Sequence, residues 1–154
     1  PRLHALGWRK TLVAAETPVH SGQSASEAVY HIHRIALGVP DGGRDYAYGD
    51  TFPHEALYDQ LHGVSFEKGC YVGQEIVSRM QHRGTARKRI VQVDDIRALP
   101  PSNERQGLGL VRLDRAAEFK VKGVALNAGD VDITLRVPPY ATFTLEPPAA
   151  ATSS

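Results

Sequence analysis

The apolar period of this chain changes at about Arg87, and that switch limits what it can fold into. Ahead of it, apolar residues recur at three- and four-residue steps. Beyond it they alternate or are β-branched. Arg89–Val93, Gly107–Leu113, Lys120–Leu126 and Val131–Val137 each read as a strand. Pro100-Pro101 and Asn127-Ala128-Gly129 supply turn chemistry between them. The pattern predicts an all-β unit of about 60 residues, a small antiparallel barrel or part of one. Its expected bounds are 86–146. The Pro, Ala, Thr and Ser of 147–154 predict a disordered tail.

Residues 1–85 read differently. Trp8–Val13 has strand character, and the small polar residues of Ala14–Ser24 predict a loop. Ser24 and Glu27 have capping-box spacing. Val29, Ile32, Ile35 and Ala36 then follow on one helical face, and Gly38 and Pro40 stop it, which predicts a helix over 26–37. Pro40-Asp41-Gly42-Gly43 is a turn, followed by an ordered loop to Pro53. Glu55–Leu61 suits a helical turn and Val64–Phe66 a short strand. Lys68-Gly69 is a turn, and Gly73–His82 has helix-forming composition ending at Gly84. Helices and strands in separate stretches give an α+β class.

The chain has 154 residues, enough for one domain or two small ones, with a core that needs no disulfide or metal. The formal net charge of +1 excludes a partner held by bulk charge; anion affinity would need a local basic patch. No apolar run approaches the roughly 18 residues that mark a membrane-spanning helix. Cys70 stands alone, so no intrachain disulfide forms, which fits a reducing compartment such as the cytoplasm. The opening Pro1-Arg2-Leu3-His4 has no initiator Met and no signal-peptide pattern, so the chain reads as part of a longer protein.

Cys70 follows Lys68-Gly69 and precedes a predicted helix. Helix-terminal N–H groups and a nearby cation favour thiolate, making Cys70 a candidate nucleophile, redox site or soft-metal ligand. Gly69 and Gly73 would let a backbone or ligand approach closely. The plainer alternative is a small buried hydrophobe beneath the turn.

The stretch Lys68-Gly69-Cys70-Tyr71-Val72-Gly73-Gln74-Glu75 resembles the K-G-C-x-x-G-Q-E signature of YgfZ-type folate-binding proteins, which are similar to the glycine cleavage T-protein. The likeness continues through Ser78-Arg79 to Arg83-Gly84. Arg34-Ile35-Ala36-Leu37-Gly38-Val39-Pro40 resembles the family's R-I-x-x-G-x-P segment, and Pro53-His54-Glu55-Ala56 its P-x-E-x segment. The resemblance implies a T-protein-like α+β core over 1–85, followed by the small β-barrel-like domain, the whole being the C-terminal half of such a protein. It implies tetrahydrofolate or a derivative as ligand. It implies partnership with iron–sulfur enzymes or their assembly machinery, including enzymes that thiomethylate tRNA. By position, Cys70 and Lys68 become the functional pair. Gly69, Gly73, Gln74 and Glu75 shape the turn and helix start; with Tyr71 they line the folate side, and Glu55 lies near the pterin. The role expected is that of an accessory factor rather than a turnover enzyme. The alternative is a tetrahydrofolate-dependent aminomethyltransferase of T-protein type.

Arg79, His82, Arg83, Arg87, Lys88 and Arg89 form a basic cluster. Arg79 and Arg83 could hold a folate glutamate tail, the cluster could contact tRNA or another partner, or it could be a solvated helix end. No motif of interleaved aromatics supports direct nucleic-acid binding. His31 and His33 would point about 200° apart on a helix and cannot share a metal there. No Cys/His set has zinc spacing, and one cysteine cannot supply the roughly four ligands of a cluster, so no metal site is expected. Asp41, Asp45, Asp50 and Glu55 are close in sequence but show no acid–base pattern, and Asp41-Gly42-Gly43 lacks the preceding strand of a phosphate loop.

Overall fold

A computed structural model describes residues 3–7, 23–83, 86–95 and 106–146. The Trp8–Val13 strand, most of the 14–24 loop, Gly84, Pro100–Asn103 and the 147–154 tail lie outside the described residues. The elements run α1 (Glu27–Ala36), α2 (Gln74–Arg83), β1 (Lys88–Asp95), β2 (Gln106–Arg112), α3 (Leu113–Lys122), β3 (Leu126–Ala128) and β4 (Val131–Arg136), with a short 3-10 turn at His4–Leu6.

Helix α1 is capped by Ser26, not by Ser24. The Ser26 hydroxyl accepts from the Val29 N–H at 3.4 Å, and the Ser26 carbonyl accepts the same N–H at 3.1 Å. Ser24 has the right spacing to Glu27, but Ser26 is the residue that stands extended immediately before the first helical turn. The helix ends where expected, one residue before Leu37, and Gly38 turns the chain with φ +73°.

The strands form one antiparallel sheet of order β2-β1-β4-β3. Ile90 opposes Leu110, and Val93 opposes Gly107 on one side and Leu135 on the other. β1 is central, and Ile90, Val91 and Gln92 are fully buried. Among the described residues β2 and β3 are free edges, so the sheet is open, as the partial barrel among the two expected forms would be. Two expectations fail. Lys120–Leu126 is not a strand, because α3 runs through Lys122, so the unit is not all-β. Leu113, Ala116, Ala117 and Lys120 lie at helical steps, Glu118 pairs with Lys122 at 2.5 Å, and Gly123 closes the helix in the left-handed region. Asn127 and Ala128 belong to β3, and only Gly129-Asp130 make the turn to β4.

Between the helices, residues 52–62 form a run of turns instead of a regular helix. Leu57, wholly buried, takes φ +63°, and the hydrogen bonds slip to Tyr58 N–H on the Pro53 carbonyl (2.8 Å). A left-handed leucine costs about 1–2 kcal/mol; full burial of its side chain offsets a similar amount, about 1.5–3 kcal/mol. Val64–Phe66 is bends and coil, not a strand. The core lies between this segment and the sheet: Ala56, Leu57, Leu61 and Ile90, flanked by Val39, Tyr46, Leu108, Tyr140 and Phe143.

Candidate functional site

The Lys68–Glu75 segment is an exposed loop leading into α2. Cys70 is exposed, which removes the buried-hydrophobe reading. It precedes Gln74, the first residue of α2, by three intervening residues. It therefore stands outside the first turn, where the field of a helix is strongest. The Lys68 ammonium sits over the Tyr71 ring, 4.5 Å from its centroid. Tyr71 is tied in turn to Gln74. The Gln74 side-chain oxygen accepts from the Tyr71 N–H, and the Gln74 N–H donates to the Tyr71 carbonyl, both at 3.2 Å. The Ser65 hydroxyl accepts the Lys68 N–H at 3.3 Å. The loop is thus pinned at both ends while Gly69 and Cys70 project between the pins.

The two glycines of the loop differ. Gly73 has φ +85°, a conformation that L side chains resist, so the fold itself requires glycine there. Gly69 has no such φ, and a Cβ added to it would meet nothing within 4 Å. Nothing inside the fold explains glycine at 69.

Glu55 is in a different place. It is buried, its carboxylate accepts from the Phe52 N–H at 3.0 Å, and its carbonyl accepts from the Ile90 N–H at 2.9 Å. It therefore joins the turn segment to β1. This segment meets α2 through His54, a residue with no motif of its own in the sequence. His54 is buried, its ring lies 5.9 Å from that of Phe66, and its Nε2 is 3.4 Å from the Gln81 side-chain oxygen on α2. Only its position beside Pro53 and Glu55 in the resembling segment could have drawn attention to it.

The basic cluster is divided. Arg89 is not part of a surface patch: its guanidinium donates to both Asp59 carboxylate oxygens (2.6 and 2.8 Å) and to the His54 carbonyl (2.6 Å), and it lies over the Phe143 ring. Burial pushes the Asp59 carboxyl up, but the hydrogen bonds from Arg89 and Gln60 and the Arg89 charge outweigh it and hold Asp59 below its ordinary value. Arg79, His82, Arg87 and Lys88 are exposed; the Arg83 side chain lies outside the described residues.

His31 and His33 hold structure. Arg34 Nε donates to His31 Nδ1 (2.9 Å), so the other ring nitrogen carries the proton and donates to Glu27 (3.0 Å). His33 Nε2 donates to the Ala5 carbonyl (2.8 Å). Asp41 and Asp45 pair with arginines, Asp45 with the buried Arg34 at 2.5 Å. Among the described residues no group of three or more His, Cys, Asp or Glu side chains is arranged for a metal ion, and no helix is long and apolar enough to cross a membrane.

Comparison with known proteins gives this geometry a context. Residues 101–143, the stretch holding β2, α3, β3 and β4, match the C-terminal β-barrel domain of CAF17. The chain is 41% identical over 131 residues to the human mitochondrial iron–sulfur cluster assembly factor IBA57, covering 84% of this chain and 36% of that protein. Over that stretch it is similar to an IBA57 assembly factor. The homologue from Neurospora crassa is 40% identical over 93 residues, covering 59% of the chain and 21% of the relative. That from Mycosarcoma maydis is 44% identical over 93 residues, covering 59% and 23%. The chain therefore spans between about a fifth and about a third of the length of these IBA57 relatives.

Proposed function

We propose that this chain supplies the Cys70 loop of a folate-binding accessory factor that supports assembly or repair of iron–sulfur enzymes, tRNA-thiomethylating ones among them. The observation that carries the reading is the loop itself. Gly69 and Cys70 are exposed between two anchors, and packing accounts for neither residue. Exposed residues with no packing role, on a loop shaped by its own short-range hydrogen bonds, are free to serve binding or chemistry. The names of the IBA57 relatives point the same way, and being mitochondrial they favour the matrix over the cytoplasm for a eukaryotic source.

In this reading Cys70 is the reactive thiol and Lys68, braced on Tyr71, the cation beside it. Gln74 and Gly73 fix the turn, and Gly69 leaves room for a partner or ligand backbone. Tetrahydrofolate is proposed as ligand of the full-length protein, on the side of Tyr71, Glu75, Arg79 and Arg83; Glu55 acts there indirectly, by holding the turn segment on β1. Residues 1–85 would belong to the folate-binding core and 86–146 to the β-rich domain. The test is the methylthio modification of tRNA in cells whose only full-length copy carries Cys70→Ser. Modification should fall strongly at unchanged protein abundance. Unchanged modification would reject Cys70 as a working residue for these clients.

A further inference from the structure

We propose that the outward face of α2, with Lys68 and Val72 ahead of it and Arg87 and Lys88 beyond it, is a docking surface for an acidic segment of a partner protein. The basis is how the cations are distributed. Outside residues 68–88, every described Lys or Arg has a carboxylate within 4.0 Å: Arg34 has Asp45, Arg44 has Glu27 and Asp41, and Arg89 has Asp59. Arg112 has Asp114, Arg115 and Lys122 share Glu118, Lys120 has Glu146, and Arg136 has Asp94. Within 68–88, Lys68, Arg79, Arg87 and Lys88 are exposed, and no carboxylate among the described residues pairs with them. That stretch contains one carboxylate, Glu75, in a chain whose total charge is +1, so the rest of the molecule is net negative. Among the described residues the positive field is local and uncompensated, the condition under which an oppositely charged partner is steered to one face.

The apolar residues beside these cations favour protein over RNA. Val77 is buried, and Gln81, which meets His54, sets the inward side of α2. At 100° per residue, Glu75, Ile76 and Arg79 fall on the outward side, and Val72 precedes them in the loop. Ile76 is 49% and Val72 102% exposed. Aliphatic side chains flanked by cations suit the apolar centre and polar rim of a protein interface. They give an RNA base no ring to stack on, and Tyr71 in the loop already has the Lys68 ammonium over its ring. The surface adjoins the Cys70 loop but does not depend on chemistry at that thiol.

Fluorescence anisotropy with the full-length protein tests this, using a glutamate-rich peptide with regularly spaced leucines, the same peptide without leucine, and a single-stranded RNA of matched charge. The leucine-containing peptide should bind more tightly than the RNA and weaken as salt is raised. Combined Arg79→Glu, Arg87→Glu and Lys88→Glu should lower its affinity at least about tenfold. Ile76→Ser should weaken the leucine-containing peptide alone. These positions are exposed, so melting should be unchanged, and Arg115→Glu, Lys120→Glu and Lys122→Glu on α3 serve together as the charge control. Tighter binding of RNA would make this a nucleic-acid surface and overturn the proposal. So would no binding of the peptide, or an equal loss in the control.

Discussion

Two of the segments that resemble the family are built in opposite ways. Arg34–Pro40 is occupied by structure throughout. The Arg34 guanidinium, 3% exposed, serves Asp45, His31 and the Val39 carbonyl. Buried Gln92 reaches from β1 to cap α1, donating to the Ile35 and Ala36 carbonyls (3.1 and 2.8 Å). Gly38 has φ +73°, its carbonyl accepts the Tyr140 hydroxyl, and a Cβ there would come within 2.7 Å of Pro138. Lys68–Glu75 is the reverse. Its ends are fixed, its middle is exposed, and neither Gly69 nor Cys70 has a structural partner among the described residues. The first segment is legible as architecture; the second is what the architecture presents. Substitutions should therefore cost stability in the first and function in the second.

The largest expected effect is Arg34→Ala, which strands Asp45 in a largely buried site and should destabilise by about 3–5 kcal/mol in denaturant titration. A loss under about 1 kcal/mol would mean that the pair is solvated and the contrast weaker than stated. Gly38→Ala comes next. It combines a left-handed alanine, about 1–2 kcal/mol, with displacement of Pro138, about 1–3 kcal/mol, read as a lower melting temperature.

A smaller effect concerns the Asp59–Arg89 pair, which fastens the turn segment to β1. Asp59 titrates lower folded than unfolded. Its contribution is therefore complete above the unfolded value, about 3.9, and is lost as pH falls through the folded one. Stability should decline below about pH 4, and Asp59→Asn should flatten that decline while lowering stability at neutral pH. The smallest stability effects belong to the loop: Gly69→Ala and Cys70→Ser should each change unfolding free energy by less than about 0.5 kcal/mol.

Sequence reasoning reached the parts set by local pattern. Helix α1 was readable from its apolar steps and its Gly38–Pro40 stop, and β1, β2 and β4 from alternation. It missed where two signals compete. Val121 and Val124 suggest a strand, yet Gly123 and the Glu118–Lys122 pair, both visible in the sequence, belong to a helix. Other features arise only in the fold. Leu57 leaves helical geometry because burial holds it there, and Arg89 leaves the basic cluster because the register of β1 turns it toward Asp59. In the candidate site, the residues of the Cys70 loop were legible through resemblance. The buried His54 that meets Gln81 of α2 was not, because a lone histidine carries no periodic signal.

The central claim is that the Cys70 loop is retained for function and not for folding. The most direct measurement compares Cys70→Ser with Arg34→Ala in the full-length protein, recording abundance together with the activity of a [4Fe–4S] enzyme in the same cells. Cys70→Ser should leave abundance intact and lower the enzyme activity, whereas Arg34→Ala should lower both together. Full enzyme activity with Cys70→Ser, or a fall that only follows lost protein, would contradict the claim.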